Sequence, residues 1–238
     1  YNPSSIVYVT QQASKTLDSN MTPLRGSHST KFETILKRIQ WILKKSPSTA
    51  SLSSTLPAAI ASSASIPPDK MIVFSEWNEA LDMLCAALEE NAMDYIRYNG
   101  SRQDFSALTM FLTDPHYRIL VCNIHKAGKG ITMTAANHIL FIEPCLRVAD
   151  EQQAIARIYR MGQTKQTYVW RFIVKKSVEE KIIEMTKHRK RLYTEKESVL
   201  SDEIELEKEH ITIDDIRILF DLRAPSAEEV FPAAAAIN

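Results

Sequence analysis

The feature that most constrains the fold is an alternation of short apolar runs with helical patterns from residue 71 onward. Each run has the length and β-branched character of a buried strand, and a helical pattern separates most consecutive runs. Because parallel strands need crossover connections, this alternation predicts a three-layer α/β fold, a parallel sheet with helices on both faces. We expect strands at 71–75, 94–98, 118–122, 138–142 and 166–174. We expect helices that end near 91 and 112, one over about 149–161, and a long one from 178.

The flanking segments divide the chain further. Apolar residues at helical spacing predict an amphipathic entry helix at 32–45. Residues 46–68 contain no charged residue and are dominated by Ser, Ala, Thr and Pro, which predicts a disordered insertion. The full division is a lead-in at 1–31, the entry helix, the insertion, the α/β lobe at 69–176, brace and docking helices at 177–222, and a tail at 223–238.

Charge and cysteine content exclude several classes of protein. The 29 Lys and Arg residues equal the 29 Asp and Glu residues, so any nucleic-acid surface must come from local clustering of charge. The three cysteines, Cys85, Cys122 and Cys145, lie far apart without zinc spacing, which predicts reduced core thiols in a cytosolic or nuclear protein. No run of about 18 apolar residues is present, so we expect no membrane partner. The chain does not begin with Met, and we expect it to be a piece of a longer protein.

The loops that follow the strands carry the unusual residues. In open α/β sheets ligands bind at the carboxyl ends of the strands. A glycine-rich loop at 123–130 follows the third strand, but it lacks the G-x-x-x-x-G-K-[ST] pattern of a P-loop. Gly128 and Gly130, beside Lys126, could still offer backbone N–H groups and positive charge to a phosphate. The alternative is a tight turn with solvated lysines.

A pair of arginines follows in the segment QQAIARIYRMGQ, residues 152–163. Arg157 and Arg160 are three residues apart, which on a helix places both guanidinium groups on one face, with Gln153 one turn earlier. Such a pair can stabilise the negative charge that develops when a γ-phosphoryl group is transferred. The alternative is that the two arginines pair with surface carboxylates.

Several segments, taken in order, decide between these alternatives. QQAIARIYRMGQ resembles the Q-A-x-x-R-x-x-R-x-G-Q element of SWI/SNF (Snf-type) helicase-like ATPases. Upstream, MIVFSEW, YNGS and KAGKGITMTAAN resemble that family's strand-end loops in the same order, and the segment that begins at Ser29 resembles its lead into this lobe. The resemblance covers about residues 27–195. It implies a RecA-like lobe, the C-terminal one of two.

The resemblance also implies roles for individual residues. Arg157 and Arg160 would be arginine fingers, and ATP would be bound between two lobes, with Mg²⁺ held by the other one. Gln153, Gly128 and Gly130 would contact the nucleotide. Contacts to the DNA backbone would come from Ser75, Asn99, His125 and Lys126. His125 stands where relatives often have Ser or Thr, which weakens a hydroxyl-to-phosphate assignment there.

Within the family the chain resembles the SHPRH type most, and HLTF-like relatives are the alternative. The residues after the fourth strand, the insertion and the segment HITIDDIRILFD carry this finer resemblance. It implies a nuclear parent protein that acts on double-stranded DNA or chromatin. The parent would engage a ubiquitin-conjugating enzyme through a RING domain upstream.

Two other functions are compatible with the pattern. The lobe could be a catalytically silent interaction module, although the intact arginine pair argues against this. An RNA helicase lobe is the other alternative, and the Gly162-Gln163 ending with a long following helix is less typical of it. Trp77 opens an amphipathic helix, and we expect it in the core rather than stacked on a base.

Overall fold

The strand pattern produces one sheet of six parallel strands in the computed structural model, which describes residues 6–9, 22–46, 67–101, 104–126, 131–196 and 212–220. The strand order is β1-β6-β5-β2-β4-β3, and every neighbouring pair is parallel. The strands are β1 (Ile6–Val9), β2 (Met71–Ser75), β3 (Ile96–Tyr98), β4 (Ile119–Asn123), β5 (His138–Phe141) and β6 (Tyr168–Val174). The central strand β2 is buried along its whole length, as its continuous apolar run predicts.

Six α-helices accompany the sheet in the described part of the chain. They are α1 (Thr30–Lys45), α2 (Asn78–Glu90), α3 (Phe105–Thr113), α4 (Val148–Ala156), α5 (Val178–Lys196) and α6 (Ile213–Phe220). The entry helix α1 begins where Ser29 accepts a hydrogen bond from the Phe32 N–H (3.4 Å). Lys44 and Lys45 in its last turn complement the helix dipole.

The core consists of two apolar layers, one on each face of the sheet. Side chains alternate along β2, so Met71 and Val73 face one layer while Ile72 and Phe74 face the other. Helices α1 and α2 cover the first layer, and α3 and α4 cover the second. The predicted three-layer α/β fold is therefore confirmed.

The C-terminal helices meet at a buried ion pair. Arg189 of α5 donates from Nε to Asp215 Oδ1 of α6 (2.9 Å), and both side chains are almost completely buried. Asp215 also accepts hydrogen bonds from the Thr212 N–H and hydroxyl (2.8 and 2.7 Å). The expected capping residue, Thr212, accepts in turn from the Asp215 N–H (3.2 Å). No described helix is long and apolar enough to cross a membrane.

Three local features differ from expectation. The strand β1 lies in the segment assigned to a lead-in, and it is a strand because it pairs with β6 at the sheet edge. Trp77 is 60% exposed, so its expected place in the core is wrong; Leu81 and Leu84 fill the buried face of α2 instead. Helix α4 ends at Ala156, five residues before its expected end. Most of the insertion predicted at 46–68 lies outside the described residues.

Candidate functional site

The carboxyl ends of the strands form the candidate site, because the chain changes direction there. The connection after β2 crosses the first face as α2, whereas the connection after β5 crosses the second face as α4. Since β2 and β5 are neighbours, a crevice opens between their carboxyl ends. Ser75 and Glu76 lie on one side of this crevice and Glu143 lies on the other.

The Glu143 carboxylate joins the two sides. Its Oε1 accepts hydrogen bonds from the Ser75 hydroxyl (2.8 Å) and the Glu76 N–H (2.6 Å). Burial raises the pKa of Glu143, and these two hydrogen bonds oppose that rise. Ser75 is 2% exposed, so its hydroxyl holds Glu143 rather than facing a ligand. Sequence reasoning missed this role of Glu143, although a charged residue directly after a buried strand was the available signal.

The loops after β3 and β4 touch each other through a glycine. Gly100 adopts φ +80°, and a Cβ there would lie 2.6 Å from the Lys126 carbonyl oxygen. Only glycine tolerates both the left-handed backbone and this close approach. Asn99, next to it, is exposed and donates its N–H to Asp104 (3.0 Å). Asn99 and Lys126, both predicted to contact DNA, therefore lie on adjoining loops.

A short 3-10 helix, Ile124–Lys126, presents His125 and Lys126 to solvent. Asn123, at the end of β4, accepts the His125 N–H (3.0 Å) and so fixes the start of this turn. The imidazole Nδ1 of His125 lies 3.6 Å from Asp150 in the first turn of α4. Gly128 and Gly130, predicted to contact a phosphate, lie outside the described residues.

The two arginines occupy a turn rather than a helical face, which corrects the geometry expected from their spacing. Arg157 caps α4, and its carbonyl accepts a hydrogen bond from the Met133 N–H (2.9 Å). Arg160 follows in the turn and donates from Nη1 to the Thr132 hydroxyl (3.1 Å). Both arginines are thus tied to the segment that follows the glycine-rich loop.

The side chain of Gln163 stabilises this turn through hydrogen bonds to the backbone. Its amide Nε2 lies within hydrogen-bonding distance of three backbone oxygens, those of Thr134, Ala136 and Ile158, at 3.1, 2.7 and 3.3 Å. Gly162 supplies a left-handed residue (φ +99°) just before it. The Gln163 side chain therefore holds the arginine turn beside the segment that leads into β5, and sequence spacing alone did not show these contacts.

The guanidinium groups of Arg157 and Arg160 have no carboxylate partner among the described residues. Four other arginines do pair with carboxylates: Arg97, Arg147, Arg171 and Arg189. The charge of Arg157 also reaches the ends of β3 and β4, since it opposes the burial-driven rise in the pKa of Tyr98 and Cys122. Surface pairing, the alternative interpretation of this motif, is not what the structure shows. Gln153 is exposed on α4.

The chain is similar in sequence to several known proteins. Residues 53–162, which end in the arginine turn, match the family model described as "Helicase conserved C-terminal domain". The mouse protein "E3 ubiquitin-protein ligase SHPRH" is 33% identical over 190 residues, which cover 80% of this chain and 10% of that protein. The fission yeast "DNA repair protein rad8" (Schizosaccharomyces pombe) is 32% identical over 157 residues, 65% of this chain and 13% of that protein.

The chain is a helicase C-terminal lobe of the SWI/SNF family. The C-terminal part of the Fun30 ATPase domain, a crystal structure, superimposes with a TM-score of 0.53 at 24% identity. That match covers 66% of this chain and 45% of the other, and it confirms the RecA-like fold. The lobe spans about a tenth of the length of the SHPRH protein that it matches.

Proposed function

We propose that this lobe is half of an ATP-driven, double-stranded DNA translocase. It would supply Arg157 and Arg160 as arginine fingers to an ATP molecule bound, together with Mg²⁺, by a P-loop lobe of the same protein. The observation that carries the proposal is the arginine turn itself. Two arginines whose guanidinium groups have no carboxylate partner in the described chain are held beside the segment that follows the glycine-rich loop.

The chemistry of phosphoryl transfer suits such a turn. Its transition state spreads negative charge over the equatorial oxygens of the phosphoryl group, and catalysis is mainly positioning and electrostatic stabilisation. An arginine already paired with a carboxylate would lose that interaction on reaching the nucleotide. Arg157 and Arg160 avoid this loss, and the contacts of Thr132 and Gln163 hold their backbone in place. Gln153, Gly128 and Gly130 are proposed to contact the nucleotide beside them.

The adjoining loops after β3 and β4 would hold the DNA backbone. Asn99, His125 and Lys126 are exposed and offer an amide, an imidazole and an ammonium group. Such contacts to phosphates carry no sequence information. They suit a translocase, because it must bind DNA of any sequence. Ser75 would contribute indirectly, because its hydroxyl donates the hydrogen bond that positions Glu143. Closure of the lobes around ATP and reopening after hydrolysis would move these loops along one strand.

Substitution of the two arginines tests this function. In a protein that carries this lobe together with its P-loop lobe, Arg157→Ala and Arg160→Ala should each lower DNA-stimulated ATP turnover by about 10³-fold. Arg157→Lys and Arg160→Lys should rescue little, because lysine lacks the planar donor fork. Steady-state phosphate release with duplex DNA is the measurement.

The matched control is Arg25→Ala, which removes an exposed arginine near the end of α2, at the opposite edge of the sheet. It should leave turnover unchanged. The lobe by itself should hydrolyse no ATP. Unchanged turnover in both arginine variants would instead favour a silent interaction module, and stimulation by RNA rather than duplex DNA would favour an RNA helicase.

The parent protein is further proposed to be nuclear and to act on chromatin or replication forks. It is also proposed to engage a ubiquitin-conjugating enzyme through a RING domain elsewhere in its chain. The names of the mouse and fission yeast relatives, a ubiquitin ligase and a DNA repair protein, support this proposal. Ubiquitin-chain formation by the full-length protein, with and without DNA, would test it, together with microscopy of the tagged protein.

A further inference from the structure

A recess of about 280 Å³ lies at the amino ends of the strands, at the opposite edge of the sheet from the Ser75–Glu143 crevice. Asp69, just before β2, and the residues at the start of β5 and β6 form its floor, and the last turn of α1 forms its wall. Strands β2 and β5 separate it from the Ser75–Glu143 crevice by about 13 to 17 Å, at ~3.3 Å per residue. The proposed DNA contacts of Asn99, His125 and Lys126, which follow β3 and β4, therefore do not use it.

Flat aromatic rings line this recess. His138 stacks on Tyr168 with ring centroids 4.9 Å apart and on Trp170 at 6.3 Å, with interplanar angles of 14° and 10°. Trp41 meets Trp170 edge-on at 6.4 Å. The Trp170 indole N–H donates to His138 Nδ1 (3.1 Å), and burial lowers the pKa of His138 to about 4, so this stack is uncharged at neutral pH.

The charges around the rings are unbalanced toward positive. Asp69 is already neutralised by Lys165 (2.9 Å). Lys45 has no carboxylate partner among the described residues, and its ammonium lies 4.9 Å from the centre of the Trp41 ring. The Arg38 guanidinium lies over Trp170 at 4.3 Å. These positive charges would repel a cationic ligand, so the recess favours an anionic ligand.

We propose that this recess binds one nucleotide of a single-stranded nucleic acid. The base would lie against Tyr168, over whose ring no cation lies among the described residues, and the phosphate would face the Lys45 ammonium. Aromatic platforms beside a positive rim are the means by which proteins hold single strands without reading their sequence. The volume approaches the ~300 Å³ at which small-ligand pockets begin, which suits one nucleotide and excludes a duplex. Gln166, exposed at the rim, offers an amide to a base edge.

Tryptophan fluorescence tests the proposal directly. The chain has three tryptophans, and Trp41 and Trp170 line the recess. In a Trp77→Phe background of the whole chain, the emission therefore reports on the recess alone. Titration with a ten-residue oligothymidylate should quench it, and oligouridylate should do the same. Free thymidine monophosphate should quench only at much higher concentration, because it lacks the neighbouring phosphates.

Variants at the rim decide the outcome without threatening the fold. Lys45→Ala should weaken oligothymidylate binding about tenfold and lower the slope of log K against log salt by about 0.7. Tyr168→Ala should also weaken it about tenfold, whereas Tyr168→Phe should not. Lys44→Ala, one residue away, and Lys126→Ala, at the other edge, should leave it unchanged. Equal losses in Lys44→Ala and Lys45→Ala, an absence of quenching, or quenching by an acidic aromatic peptide instead of the oligonucleotide would overturn the proposal. Each outcome is independent of the ATP turnover test.

Discussion

The environment of Glu143 predicts how the stability of this lobe depends on pH. Its carboxyl is largely enclosed between the ends of β2 and β5, and one oxygen receives both the Ser75 hydroxyl and the Glu76 N–H. Glu143→Gln keeps an oxygen that can accept both hydrogen bonds and removes the charge. Glu143→Ala removes the acceptor and leaves the Glu76 N–H without it. The two variants therefore separate the cost of burying the charge from the value of the hydrogen bonds.

The expected difference in stability between the two variants follows from these contacts. Loss of the acceptor for one backbone N–H and one hydroxyl in a half-buried crevice costs about 1–3 kcal/mol, so Glu143→Ala should be about 2 kcal/mol less stable than Glu143→Gln. Burial raises the folded-state pKa of Glu143 above its unfolded value. The stability that this group contributes is then full below the unfolded pKa and is lost as pH rises through the folded pKa. The free energy of unfolding of Glu143→Gln should accordingly increase relative to that of the native chain as pH rises from about 4.

Urea unfolding of the chain between about pH 4 and pH 8 measures both effects. Glu79→Gln, a change at an exposed carboxylate in the first turn of α2, is the control and should show no such trend. If the advantage of Glu143→Gln does not change with pH, the carboxyl does not titrate as its burial requires. If Glu143→Ala is as stable as Glu143→Gln, the two hydrogen bonds do not stabilise the crevice.

Two further predictions concern other parts of the lobe. Asp215→Ala removes the carboxylate partner of the buried Arg189 and should release α6, at a cost of about 3–5 kcal/mol, seen as faster amide exchange in α6 but not in α2. Although burial alone would raise it, hydrogen bonds from Arg189 and Thr212 lower the pKa of Asp215, so α6 should also loosen as pH falls below about 4. Gly100→Ala should cost more stability than Gly162→Ala, because both have positive φ but only the Gly100 position meets a backbone oxygen at 2.6 Å. Gly100→Ala should also weaken duplex DNA binding through Lys126, and equal thermal melting of the two variants would show that the close approach does not matter.

The strands were the most predictable elements, for a simple physical reason. The run at 71–75 is apolar at nearly every position and is buried at every position, so its pattern and its environment agree. The next strand was expected at 94–98 but begins at Ile96, because Asp94 lies exposed outside the sheet. Pattern alone locates such an element, and its hydrogen-bonded neighbours set its ends.

Contacts between distant residues could not be predicted in this way. The Arg157–Arg160 spacing predicted a helical face. The Met133 N–H donates a hydrogen bond to the Arg157 carbonyl, however, and the chain turns instead. Strand β1 exists only through its pairing with β6, 165 positions away by register. The aromatic recess combines Trp41, His138 and Trp170 from three separate segments.

The sequence by itself thus determined the α/β class, the family and the edge of the sheet where Ser75, Asn99 and Lys126 lie. These depend on local patterns, on motifs and on the rule that parallel strands end together. Only the tertiary structure decided that the arginines lie in a turn, that Glu143 joins β2 to β5, and that an aromatic recess lies at the far edge. Each of these depends on a hydrogen bond or a ring contact between residues that are distant along the chain, and no local pattern encodes such a contact.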